Sequence, residues 1–221
     1  MQKEFMTKKE TTKRDETSVL TINAPNMGKA DFKIIGTAPY VQLKFPEKAK
    51  AMMRAKMEGK IPKGSKKHDV RSFEDDFEQS MYQTDDGWRG IPASSFRNAM
   101  ISACRLVGFK MTLAKLSIFV LANGFDKDEG IPLVKIEGEP EMIVSPVRNA
   151  NMSADLRVRA KFFPWSATVT LRYDQDQFCR EDVANLLARV GMQVGIGEGR
   201  PDGKMSAGMG WGTFELEGWR E

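Results

Sequence analysis

Arg180–Leu216 reads REDVANLLARVGMQVGIGEGRPDGKMSAGMGWGTFEL, and it sets the architecture of the chain's last third. Val183, Leu186, Leu187 and Val190 recur at helical spacing. Glu181 and Asp182 in the first turn and Arg189 in the last suit the helix dipole. The pattern predicts a helix over Arg180 to Val190, stopped by Gly191, and a strand over Trp211 to Leu216. The stretch between them, Gly191 to Gly212, holds eight of the nineteen glycines. They include two G-x-G-x-G triplets, Gly195-Gly197-Gly199 and Gly208-Gly210-Gly212, with Arg200, Lys204 and Ser206 between. Glycine permits positive φ and close approach of the backbone. A run of free N–H groups with interspersed cations is a seat for a phosphate backbone; a long turn is the structural alternative. A Walker loop is excluded, because Gly203-Lys204 lacks both the first glycine and the hydroxyl. A dinucleotide fingerprint needs a strand before and a helix after, the reverse of this order.

Upstream, Leu156 to Phe162 alternates apolar residues with Arg157, Arg159 and Lys161, so a strand places three cations on one face. After Pro164-Trp165-Ser166, Ala167, Val169, Leu171 and Tyr173 alternate with Thr168, Thr170 and Arg172, and the two runs read as a hairpin. Ser94 is a suitable N-cap for a helix whose buried stripe is Phe96, Ala99, Met100, Ala103, Cys104 and Val107, ending at Gly108. Arg97, Asn98 and Arg105 fall off that stripe, as a solvated face does. Asp31 to Leu43 reads as a first strand bent at Gly36–Pro39, Leu116 to Ala122 as a buried strand, and Leu133–Ile136 and Met142–Ser145 as shorter ones. Pro46 opens a helix closing near Gly59. Val70 to Tyr82 reads as a short acidic helix.

Residues 1–28 read as a flexible tail, and 29–221 as one domain with a basic/acidic insertion at about 44–88. In that insertion, Lys44 to Arg71 carries ten Lys/Arg against three acids, and Ser72 to Trp88 six acids and no Lys/Arg. The blocks can pair with each other, or the basic one can serve as an arm for nucleic acid. The expected fold class is α+β: a ferredoxin-like, RNA-recognition-motif-like core with a mainly antiparallel sheet, two main helices and inserted loops.

No apolar run is long enough to span a bilayer, and no signal-peptide pattern opens the chain. With one histidine and two scattered cysteines, no metal or cofactor site is predicted, and an intracellular, reducing compartment is expected. The pairs Asp75-Asp76 and Asp85-Asp86 point in alternating directions, unlike the converging carboxylates of a two-metal site. His68 stands in a lysine-rich loop without an evident catalytic partner. No catalytic residue is assigned.

Single-strand binders combine a cationic groove with aromatic platforms. The candidate phosphate contacts are Arg97, Arg157, Arg159, Lys161, Arg200 and Lys204, with Lys63, Lys66 and Lys67 on the loop of the insertion. Trp88, Phe163, Trp165 and Trp211 are candidate stackers, and Trp165, beside a turn proline, is the one expected at the surface.

The segment Gly90-Ile-Pro-Ala-Ser-Ser-Phe-Arg-Asn-Ala-Met100 is similar to the I-P-G-S-S-x-[KR]-x-x-[LM] segment of the RAMP superfamily, which includes backbone subunits of CRISPR effector complexes. Those proteins also carry a glycine-rich loop between a late helix and a last strand, which Gly195 to Gly212 resembles. The match touches Ile91, Pro92, Ser94, Ser95 and Arg97, and the loop glycines Gly208, Gly210 and Gly212. The resemblance implies binding of single-stranded nucleic acid, RNA or DNA, along its backbone. It further implies head-to-tail assembly of a homo-oligomer into a helical filament. The setting implied is the cytoplasm of a bacterial or archaeal cell, with a CRISPR component and a phage or mobile-element replication or recombination protein as alternatives. A RAMP-type endoribonuclease using His68, and a structural assembly protein without nucleic acid, are the competing functions.

Overall fold

The computed structural model of the protein describes residues 22–42, 44–60, 71–148, 152–203 and 209–218. Residues 1–21, Lys63, Lys66, Lys67, His68, Lys204 and Gly208 lie outside the described residues. In chain order the elements are β1 (Met27–Gly36), β2 (Tyr40–Gln42), α1 (Glu47–Met57), α2 (Phe73–Gln79), β3 (Gly90–Pro92) and α3 (Ala93–Ala103). A 3-10 turn (Cys104–Val107), α4 (Met111–Ser117), β4 (Ile118–Leu121), β5 (Gly124–Phe125), β6 (Pro132–Glu137) and β7 (Pro140–Arg148) follow. Then come β8 (Ala154–Phe162), β9 (Ser166–Asp174), α5 (Arg180–Arg189), a π-turn (Val190–Val194) and β10 (Phe214–Leu216).

The main sheet is antiparallel and runs β10-β1-β9, with β4 and β6 sharing the far edge of β9, and β3 and β5 on β6. Taken as β1-α3-β4-β9-α5-β10 with spatial order β10-β1-β9-β4, this is an α+β, ferredoxin-like core. One sheet face carries Ala30, Phe32, Ile34, Ala167, Val169, Leu171 and Phe214, all buried with Phe96 and Met100 of α3 and Val183 and Leu187 of α5. Each large side chain among them contributes about 1.5–3 kcal/mol through burial. The opposite face stays open: Lys29, Asp31, Lys33 and Ile35 of β1 and Thr168 and Arg172 of β9 are exposed. A second sheet, β2-β8-β7, adds Tyr40, Ala160 and Phe162 to the same core.

Periodicity located α3 and α5, but five local expectations are corrected. Met27 and Gly28, read as tail, already pair with Asp174 and Tyr173. Pro92 rather than Ser94 caps α3, because the helix starts directly from β3 and buries Ala93; Val107 is exposed beyond the end of the stripe. Leu116 belongs to α4 and is exposed, so the strand begins at Ile118. Gly191 does not end α5. α5 ends at Arg189 with Val190 as its C-cap; Gly191 sits in the π-turn that follows, where a side chain would collide with the Phe214 carbonyl, and Gly195 (φ 69°) caps that turn.

The hairpin of Leu156–Tyr173 is the largest correction. β8 pairs with β2 and β7, whereas β9 pairs with β1, β4 and β6. The chain changes sheets at Phe163–Trp165, and Trp165 is the pin. Its indole N–H donates to the Ala38 carbonyl at 2.8 Å, and its ring packs against Tyr40 and Phe214. The indole also lies across Gly36, where any Cβ would overlap it. Trp165 is therefore core rather than a surface platform.

Candidate nucleic-acid interface

The alternation in β8 places Arg157, Arg159 and Lys161 on one face, as predicted, and the glycine loop folds over it. Glu198 donates its N–H to the Val41 carbonyl on β2 (3.0 Å) and receives Arg159 on its carboxylate (Nη2–Oε1, 2.6 Å). Arg159 is buried in this ion pair. Lys161 pairs with Glu141 across the ladder at 2.7 Å, on an exposed rim. Arg157 stands opposite Ser145, half-buried, and forms no ion pair among the described residues.

The glycines take the conformations their sequence foretells: Gly195, Gly197, Gly199, Gly210 and Gly212 all have φ between 68° and 75°. The amides of Gly195 and Gly212, with those of Ile196 and Trp211, answer a different need from the one expected. Gly195 N–H donates to Val190 (2.7 Å), Ile196 to Gly212 (3.0 Å), Gly212 to Pro39 (2.8 Å) and Trp211 to Gly199 (3.1 Å). These donors are engaged within the fold and leave no open cradle at those positions. Arg200 donates to the Gly197 carbonyl at 3.0 Å and is half-buried. Trp211 covers Gly199, Trp88 covers Gly90 and Gly124, and Phe163 is the exposed aromatic of the four named.

Asp202 anchors the loop to the far end of α3, accepting from Ser102 Oγ (2.5 Å) and Arg105 (2.9 Å). The Ser102 hydroxyl, aided by Arg105 and against the cost of burial, holds the Asp202 carboxyl below the usual carboxylate range. A lowered carboxyl contributes stability above its unfolded value and loses it as pH falls through the folded one. Asp202→Asn is expected to melt slightly earlier than wild type at neutral pH, by about 1 kcal/mol or less for so exposed a pair. The gap should close in acid melts, below the ordinary Asp range; a gap that persists there argues against the linkage.

In the motif at the start of α3, Ile91 and Pro92 are buried in β3, Ser95 is half-buried and Ser94 is exposed. Arg97 does not lie on a free face. It donates to the Ile118 carbonyl at 3.1 Å and to that of Lys115, and its guanidinium lies 5.4 Å from the Phe119 ring centroid. Among the described residues, the basic block pairs both with the acidic one beside it and with groups elsewhere. Arg71 meets Asp76, but Lys44 is buried against Asp126 and Asp128, and Lys50 pairs with Glu47 and Glu129. Sequence reasoning passed over Lys29 and Phe119, which the strand register sets beside Arg172. Only pairing between distant strands reveals that row.

Among the described residues, no helix is long and apolar enough to cross a membrane. A scan of protein-family models and a search of the curated proteins give no match. Among solved structures, one match is a chain from the cryo-EM structure of the Type III-B Cmr-beta bound to cognate target RNA. The alignment covers 86% of this chain and 58% of that one, at 10% identity and a TM-score of 0.45, so this chain spans less than two thirds of its counterpart's length.

Proposed function

We propose that this chain is a non-catalytic, RAMP-like binder of single-stranded nucleic acid that grips the phosphate backbone along the cationic face of β8 and the glycine loop folded on it. The observation that carries the reading is the β8 face itself. Three cations stand in alternate positions; Arg159 is neutralised by Glu198 and Lys161 is paired at a solvent-facing rim, leaving Arg157 uncompensated. Arg200 adds a cation just beyond Glu198. Lys204 and the loop lysines Lys63, Lys66 and Lys67 are carried as candidate phosphate contacts on their sequence alone. Head-to-tail assembly is supported by the other face of β7 and β8. There, beside the buried Val158, Ala160 and Phe162, Met142, Val144 and Leu156 remain 38–42% exposed, a partly covered apolar strip. Pairing that strip with a different surface on the next copy generates a filament rather than a closed dimer.

The test is fluorescence anisotropy with labelled single-stranded RNA and DNA across a salt series. Arg157→Ala with Lys161→Ala is expected to weaken binding and lower the salt slope by about 1.4, since each lost phosphate contact removes about 0.7. Arg159 is left out because its removal strands the Glu198 carboxylate. Unchanged affinity and slope would overturn this site, and a wild type that binds neither strand would overturn the function.

A further inference from the structure

We infer that the open face of the main sheet holds a second contact for a nucleic-acid strand, a phosphodiester site formed by Lys29 and Arg172 beside Phe119, whose ring Arg97 braces from α3. This rests on the single-strand reading above, but on a different surface. Lys29 of β1 lies directly opposite Arg172 of β9, and Arg172 directly opposite Phe119 of β4. The three strands thus present one row, Lys29–Arg172–Phe119, on the face the helices leave bare. Arg97 closes the row from α3: its guanidinium lies 5.4 Å from the Phe119 ring centroid, and that of Arg172 5.2 Å.

Two facts point to an anion. Like charges directly opposite in an antiparallel pair repel, yet neither Lys29 nor Arg172 has an ion-pair partner among the described residues. Arg172 lies against an aromatic face and has no hydrogen-bond acceptor among the described residues, so its fork of donors is open to solvent. The flanking acids on the same face form no ion pair with the row and hold other donors. Asp31 accepts from Thr170 Oγ1 at 2.6 Å, and Asp174 accepts from the Asp176 N–H at 3.0 Å. Lys33, farther along β1, is engaged by Glu217 at 3.0 Å. A phosphate between Lys29 and Arg172 relieves their repulsion. Half-buried Leu121, one row along from Phe119, offers apolar contact to an adjoining base.

The experiment compares Lys29→Gln/Arg172→Gln with wild type and with Arg157→Ala/Lys161→Ala, using the same labelled single strands and salt series. Both changes are at exposed positions, so the thermal midpoint should hold. Expected are a roughly tenfold loss of affinity near 0.1 M salt and a slope lower by about 1.4. If the double variant melts early, Lys29→Gln alone carries the test, with half that slope change. A wild type that binds while Lys29→Gln/Arg172→Gln keeps full affinity and slope overturns this site and leaves the β8 reading standing. Loss of self-association with nucleic-acid binding intact also overturns it, because the row then serves a protein surface. A wild type that does not bind at all overturns both readings.

Discussion

Lys44→Met is expected to destabilise the protein by about 3–5 kcal/mol, the usual cost of removing one partner from a buried ion pair. The Lys44 ammonium lies 2.8 and 2.9 Å from the two Asp126 oxygens and 2.5 Å from Asp128, with side chains of Lys44 and Asp126 only 3% and 0% exposed. Burial opposes its charge, but the hydrogen bonds it donates to Asp126 and Asp128 outweigh that and raise the lysine above its ordinary range. Asp126 also accepts the N–H groups of Gln83 (3.1 Å), Asp128 (3.2 Å) and Glu129 (3.0 Å). An apolar replacement at 126 therefore orphans three amides, at about 1–3 kcal/mol for each left unsatisfied. The informative companion is Lys44→Met with Asp126→Asn, which removes the stranded charge and keeps an acceptor. Urea unfolding should place it between wild type and the single variant. A Lys44→Met midpoint indistinguishable from wild type would show that the clasp does not hold residues 44–88 to the sheet.

Gly212→Ala is the second large effect. Gly212 has φ 68°, and a Cβ there would overlap the Ile196 carbonyl, which accepts no easy displacement because Ile196 N–H is bonded back to Gly212. The left-handed backbone costs about 1–3 kcal/mol for a non-glycine residue, and the collision a comparable amount, about 1–3 kcal/mol. Both fall on the loop that carries Glu198. The variant should melt early, and any folded fraction should bind single strands more weakly as Arg159 loses its partner. Gly210→Ala is the control: it shares the positive φ of 68° but meets nothing within 4 Å. It should show the smaller, purely conformational cost. Equal melting of the two variants would mean that the Ile196 contact contributes nothing.

What could be read in advance divides by range. α5 is written in its own residues, from acidic first turn to Arg189, and so is the stripe of α3. The alternation in β8 placed its three cations on one face without knowledge of any neighbour. The failures are non-local. Nothing near Trp165 announces that its indole will find the Ala38 carbonyl, and a proline beside it reads as a turn. Arg159 looks as free as Arg157 until Glu198 arrives from the glycine loop. α4 was missed because Met111–Ser117 passes into Ile118–Leu121 with no glycine or proline to mark where helix becomes strand.

The seating of Trp165 across Gly36 has a consequence for how this chain can change by descent. A side chain at 36 has no room while the indole is present, because the ring occupies the place of its Cβ. A smaller residue at 165 leaves the Ala38 carbonyl without its donor and a void beside Tyr40 and Phe214. Each single step away from the pair thus passes through a weakened protein. Positions 36 and 165, far apart in the chain, are therefore expected to change together or not at all.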